Sequence, residues 1–225
     1  MMKTNEDLQK DVQDAIKWEP LLRAAEIGVT AKDGIVTLSG TVDSYAKKSE
    51  AEAAAKKVTG VKVVVEEIEI KTYSNLYNRD DNDLANEVLN AYKWNWEIPN
   101  DKVTVKVENG WITLEGEFNW NYQREAAERI VKKLAGVKGI SNLISIKSET
   151  HDEIEKMGIE SALARNWSIK EQDIHVKVDG TKVTLTGDVD SWYQKEEAGR
   201  VAWNAPGVVT VNNELVVEYD YSLVD

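Results

Sequence analysis

Asn109-Gly110-Trp111-Ile112-Thr113-Leu114-Glu115-Gly116 decides the fold, because the chain carries it three times. Its counterparts are Asp33-Gly34-Ile35-Val36-Thr37-Leu38-Ser39-Gly40 and Gly180-Thr181-Lys182-Val183-Thr184-Leu185-Thr186-Gly187. In every copy a further glycine stands 20 residues beyond the last one: Gly60, Gly136 and Gly207. A fixed interval between backbone-permissive residues marks one structural unit used repeatedly.

Upstream of each stretch lies an alternating run: Ile27, Val29, Ala31; Val103, Val105, Val107; Ile174, Val176, Val178. Period two marks a strand with one buried face. Asp33-Gly34 and Asn109-Gly110 suit a type I′ hairpin turn, and Gly180-Thr181 suits type II′. The return strands bury Val36 and Leu38, Ile112 and Leu114, Val183 and Leu185.

Downstream, Ala51, Ala54, Ala55, Val58 and their counterparts Ala127, Ile130, Val131, Leu134 and Ala198, Val201, Ala202, Ala205 follow helical spacing. Asp43, Asn119 and Asp190 are the N-cap candidates of this helix. Gly60, Gly136 and Gly207 suit the left-handed residue that ends it. A last strand runs over 61–70, 137–146 and 208–217.

A first helix precedes everything, with Asn5, Asp81 and Asp152 as N-cap candidates. Its apolar face is Leu8, Val12, Ala15, Ile16; then Leu84, Val88, Ala91, Tyr92; then Ile159, Ala162, Leu163. In the third copy Asp152 and Glu155 have capping-box spacing. A Trp-rich connector with Trp18, Trp94, Trp96 and Trp167 leads into the hairpin. The expected fold is α+β: three tandem α-β-β-α-β modules, each a three-stranded mixed sheet with two helices on one face. The domains expected are 1–71, 76–147 and 150–219. The linkers, 71–82 with Tyr73, Leu76 and Tyr77, and 147–151, are not Gly/Ser-rich.

The net charge of −12 is uneven: −2 over residues 1–71, −1 over 72–147 and −9 over 148–225. Such a surface speaks against nucleic acid, which requires Lys and Arg to neutralise phosphate. There is no cysteine, and the two histidines, His151 in a linker and His175 on the solvent phase of a strand, form no ligand set. No metal, cofactor or catalytic constellation is expected. Glu66-Glu67 read as exposed strand charges. The start of the chain, Met-Met-Lys-Thr-Asn-Glu-Asp, has no signal-like apolar core, and no run has the length of a membrane span. As written, the chain is expected to be cytoplasmic.

The α-β-β-α-β order, the Val36-Thr37-Leu38-Ser39-Gly40 strand, the Ala-rich helix, Pro206-Gly207-Val208 and Val211-Asn212-Asn213 resemble the BON domain, named for bacterial osmotically inducible and nodulation proteins. The resemblance spans nearly the whole chain. It implies a non-catalytic module of stress response and envelope maintenance that binds phospholipid membranes or other partners. Many relatives are periplasmic. The family has no shared catalytic residues to carry over.

Candidate contact residues cluster where the second strand feeds the second helix: Tyr45; Phe118, Trp120 and Tyr122; Trp192 and Tyr193. Such aromatics either cap the open end of a small core or face a partner, lipid or protein. The alternation of Trp120 and Tyr122 with Asn119 and Asn121 predicts that the aromatics are partly exposed. Lys56-Lys57 and Lys132-Lys133 either complement the helix macrodipole or meet anionic headgroups. Trp111 and Trp203, at surface phase, are expected to pack between repeats. The function expected is a stress-associated binding module at membranes or envelope components; the alternative is a protein–protein scaffold with no lipid affinity.

Overall fold

The computed structural model describes residues 4–22, 27–71, 80–147, 156–166 and 174–217. The elements are α1 (Asn5–Trp18), β1 (Ile27–Lys32), β2 (Ile35–Val42), α2 (Tyr45–Lys56) and β3 (Val63–Ile70); α3 (Asp81–Lys93), β4 (Val103–Glu108), β5 (Trp111–Phe118), α4 (Asn121–Val131) and β6 (Gly139–Ile146); α5 (Lys156–Ala164), β7 (Ile174–Asp179), β8 (Lys182–Val189), α6 (Trp192–Trp203), β9 (Thr210–Asn213) and β10 (Val216–Val217). Each repeat thus has the expected α-β-β-α-β order. The linker residues Tyr73, Leu76, Tyr77 and His151, the Asp152–Glu155 capping box and Trp167 lie outside the described residues.

The three hairpins share one antiparallel register, with Val29 opposite Leu38, Val105 opposite Leu114 and Val176 opposite Leu185. At the turns, Asp33 and Asn109 both have φ of 53° and are followed by glycines at 82°, as type I′ demands; Gly180 alone is positive in the third. The closing strand runs parallel to the middle one. In the second repeat Trp111 pairs with Gly139, and in the third Lys182 pairs with Thr210, so both are offset by 28 residues. The first repeat keeps that offset at Lys62, whose N–H donates to the Gly34 carbonyl. The third closing strand is written as two pieces, but Val216 opposite Asp188 continues the same register.

The packing follows from this register. Ile112, Leu114 and Phe118 are buried on one face of the second sheet, while Trp111, Glu115 and Glu117 are exposed on the other. The two helices lie on the buried face: the Tyr92 hydroxyl of α3 donates to the Ala127 carbonyl of α4 at 3.0 Å. Burial pushes the Tyr92 hydroxyl well above its usual range, with the Glu128 carboxylate adding to it. The third repeat builds its own core from Ile159, Leu163, Val176, Val183, Leu185, Ala198 and Ala202 among others. The middle strand runs on for two residues past Gly116, and the reason for a glycine there is steric. A Cβ there would stand 2.0 Å from the Lys102 carbonyl oxygen, at a φ of +148°.

The expected first-helix caps are displaced by one residue. Thr4 and Asp80 hold the N-cap, accepting from Asp7 N and Asp83 N. That leaves Asn5 and Asp81 for another task. Asn5 Oδ1 accepts from the Asp33 amide at 2.9 Å, and the Asp81 carboxylate accepts from the Asn109 and Gly110 amides at 2.6 and 2.9 Å. These side chains tie the hairpin turn to the helix start. Asn142 and Asn213 do a similar job on the closing strand, donating to the Arg124 carbonyl at 3.1 Å and the Lys195 carbonyl at 2.6 Å of the second helix.

Both Trp111 and Trp203 pack on their own repeats. The Trp111 ring lies on Gly139, where a Cβ would come within 2.3 Å of it, and its indole N–H donates to Ser141 Oγ at 2.9 Å. Trp203 is partly buried against the third core. By proximity the chain groups into two compact units, one of Met1–Thr41, Ser49–Glu69 and Asp152–Asp225, the other of Val42–Lys48 and Ile70–His151.

Candidate functional site

The site begins with Phe118, fully buried at the end of β5. Two residues on, the chain turns into α4, and its side chains alternate sharply. Trp120 and Tyr122 are 40% and 42% exposed, whereas Asn121 between them is buried. Exposure of the aromatics matches the expectation, but the reason lies elsewhere: the amide is the inward residue. Asn121 Nδ2 donates to Glu125 Oε1 at 2.7 Å, and its Oδ1 is buried with no partner among the described residues.

Trp120 occupies the N-cap of α4, where its side chain offers no oxygen to the first turn. Only Gln123 Oε1 reaches back, to the Trp120 amide at 3.2 Å. The aligned residues are Ser44 and Ser191. Ser191 Oγ does cap α6, accepting from Gln194 N at 3.2 Å. The expected caps Asp43, Asn119 and Asp190 sit one residue earlier. Asp43 instead pairs with Lys47 at 2.7 Å, and that hydrogen bond lowers its pKa although burial works against it.

Trp94 and Trp96, on the connector after α3, are 86% and 87% exposed. The connector re-enters the sheet at Val103, opposite Gly116. Lys102 Nζ meets Asn119 Oδ1 at 3.5 Å. The second repeat therefore carries four exposed aromatics: Trp120 and Tyr122 at the start of α4, and Trp94 and Trp96 on the connector, which Glu97 ties to Arg129 in the last turn of α4 at 3.0 Å. Trp18, aligned with Trp94, is 85% exposed in the first repeat. The connector Trp residues were visible as a Trp-rich stretch but not as contact residues, because they follow no period that separates inside from outside.

The lysine pairs are not at the helix starts. Lys132 and Lys133 follow the last turn of α4, a helix of 11 residues and so about 16 Å long, from the aromatic corner. Among the described residues neither has an ion-pair partner. Lys57 pairs with Glu19 at 3.4 Å. Lys56 lies 3.0 Å from both Glu52 and Glu196. Trp192 is half-buried and donates its indole N–H to the Lys62 carbonyl. Tyr193 and Tyr45 are half-buried.

Among the described residues no group of three His, Asp or Glu side chains converges as a metal site, and no helix is long and apolar enough to cross a membrane. His175 faces solvent, as its strand phase predicts.

The sequence profile of the BON domain matches residues 4–72, 80–148 and 151–219. The chain belongs to the BON domain family. One BON relative is Osmotically-inducible protein Y of Escherichia coli (strain K12), 30% identical over 129 residues, which are 56% of this chain and 64% of that protein. The matched part is thus just under two thirds of the relative's length. Two solved structures of CdsD, described as a structural protein of the type III secretion system of Chlamydia trachomatis, are each 18% identical with a TM-score of 0.27. They cover 93% and 95% of this chain and 91% and 98% of their own. So low a score carries no argument about this BON chain.

Proposed function

We propose that this BON chain is a non-catalytic, stress-associated binding module, and that the aromatic start of α4 in its second repeat is the surface that meets phospholipid. The observation that carries this reading is the exposure of Trp120 and Tyr122 side by side at the start of α4, in a repeat that also exposes Trp94 and Trp96 on its connector. Indole and phenol rings with a polar edge partition to the boundary between headgroup and acyl chain. The helix cap given up at Trp120 supports it too, since surface function commonly overrides local stability. Kinship with an osmotically inducible protein supports the stress association.

Lysines play a smaller part in this reading. Lys56 and Lys57 are already paired with carboxylates, and Lys132 and Lys133 lie at the opposite end of their helix. Flotation of the whole chain with vesicles, neutral and anionic, tests the proposal. Binding to both, reduced by Trp120→Ala with Tyr122→Ala, is the expected outcome. A second reading is a protein–protein scaffold without lipid affinity, for which exposed Trp and Tyr rings are equally suited. No flotation with either vesicle would support it.

A further inference from the structure

The first and third repeats fall in one compact unit, and the side chains joining them include two that sequence alone offered to outside partners. From the start of α6 come Trp192 and Glu196. The indole N–H donates to the main-chain carbonyl of Lys62, just before β3. From the end of α2 comes Lys56, whose Nζ stands 5.8 Å from the centre of the Trp192 ring. The same Nζ is 3.0 Å from Glu52 on its own helix and 3.0 Å from Glu196 across the contact. Lys195 Nζ approaches the ring as well, at 5.3 Å. Burial alone would lower the pKa of Lys56; the Glu196 and Glu52 carboxylates outweigh it and leave the ammonium more basic than usual.

We propose that Trp192, Glu196, Lys56 and the Lys62 carbonyl form an intramolecular clasp that docks the third repeat onto the first and engages Trp192 within the chain. The fit is complementary group by group. An indole N–H meets a main-chain carbonyl, and an ammonium sits where it serves both a π face and a carboxylate. The ring is the dominant element. A half-exposed ion pair adds little by itself and chiefly sets orientation. Added salt therefore weakens the clasp only slightly, while loss of the ring opens it. The second repeat, with Asn121 at the position aligned with Trp192, has no equivalent indole to dock.

The absence of cysteine makes the test clean. Glu52→Cys and Glu196→Cys are introduced together in the full chain and treated with a short bis-maleimide. Both native carboxylates touch one ammonium, so the thiols begin on side chains that already converge. The expected result is a fast cross-link within one molecule, unaffected by dilution or by moderate salt. Adding Trp192→Ala is expected to slow it about tenfold, as removal of a central interface aromatic does. Trp192→Phe, which keeps a ring but loses the N–H, is expected to fall between, and far-UV circular dichroism confirms that each variant is folded. An unchanged rate in a folded Trp192→Ala or Trp192→Phe variant overturns the clasp. So does a cross-link that forms only between molecules.

Discussion

Trp120 stands where its aligned repeats have serine, and the consequence is measurable. Replacing it with Ala or Ser removes the same partly covered ring, so that loss cancels between the two variants. What remains is the cap. Ser at this position can accept from the Gln123 amide as Ser191 accepts from the Gln194 amide, whereas Ala cannot. Ser over Ala at an N-cap is worth about 1 kcal/mol. For a domain of this repeat's size that is roughly 4–8 °C in melting temperature. The assay is thermal unfolding of full-length Trp120→Ser and Trp120→Ala, followed at the transition that contains the second repeat. Trp120→Ser is expected to melt several degrees higher, while both lose vesicle binding equally. If Trp120→Ser melts at or below Trp120→Ala, the helix start is satisfied some other way, and the idea that Trp120 is kept at the expense of a cap fails.

Other substitutions probe the frame that holds the site. Gly116→Ala combines a left-handed backbone with a contact against the Lys102 carbonyl and is expected to cost about 3 kcal/mol or more by urea denaturation; a near-wild-type midpoint would contradict the close approach. Asp81→Ala removes the acceptor of two turn amides, at about 1–3 kcal/mol, and is expected to speed hydrogen exchange at Asn109 and Gly110, whereas Asp80→Ala is expected to leave those two amides protected. Glu197 is held below the usual carboxylate range by its hydrogen bond to Arg200, with burial opposing and Asn166 assisting. A depressed folded pKa gives stability that is present above the unfolded carboxylate range and is lost as pH falls through the folded value. Glu197→Gln is therefore expected to be less stable than the parent at neutral pH, by less than about 1 kcal/mol given the exposure of Arg200, with the gap closing in acid; a gap constant with pH contradicts the pairing. A fragment of residues 76–147 is expected to give a dispersed amide NMR spectrum, and a collapsed spectrum would show that the second repeat depends on the rest of the chain.

Much of the fold was legible because its hardest constraints leave residue marks. Two consecutive positive φ values at a hairpin need Asn-Gly or Asp-Gly, and a strand pressed against a carbonyl needs Gly116. The capping residues were read one position late because Asn5 and Asp81 belong to the same short, oxygen-bearing class as true caps. Only the fold shows that they reach across to the hairpin turn instead. Trp111 was assigned between repeats because its phase was outward. An outward Trp can still be satisfied on its own sheet when a glycine such as Gly139 leaves room beneath the ring.

The candidate site divides along similar lines. The aromatic corner could be named from sequence, and Trp120 and Tyr122 are indeed exposed. Its separation from Lys132 and Lys133 could not, because it depends on where a helix begins and ends in space. The engagement of Trp192 with Lys62 was equally hidden: 130 residues separate the partners, and no local pattern announces such a contact.

The aromatic start of α4 in the second repeat is proposed to bind phospholipid. Its most direct test is flotation of the full chain with neutral and anionic vesicles, comparing the parent with the Trp120→Ala, Tyr122→Ala double variant and with Lys132→Ala, Lys133→Ala. The parent is expected to float with both vesicle types, the aromatic variant to stay at the bottom while remaining folded, and the lysine variant to float nearly as the parent does. A folded aromatic variant that floats undiminished would contradict it.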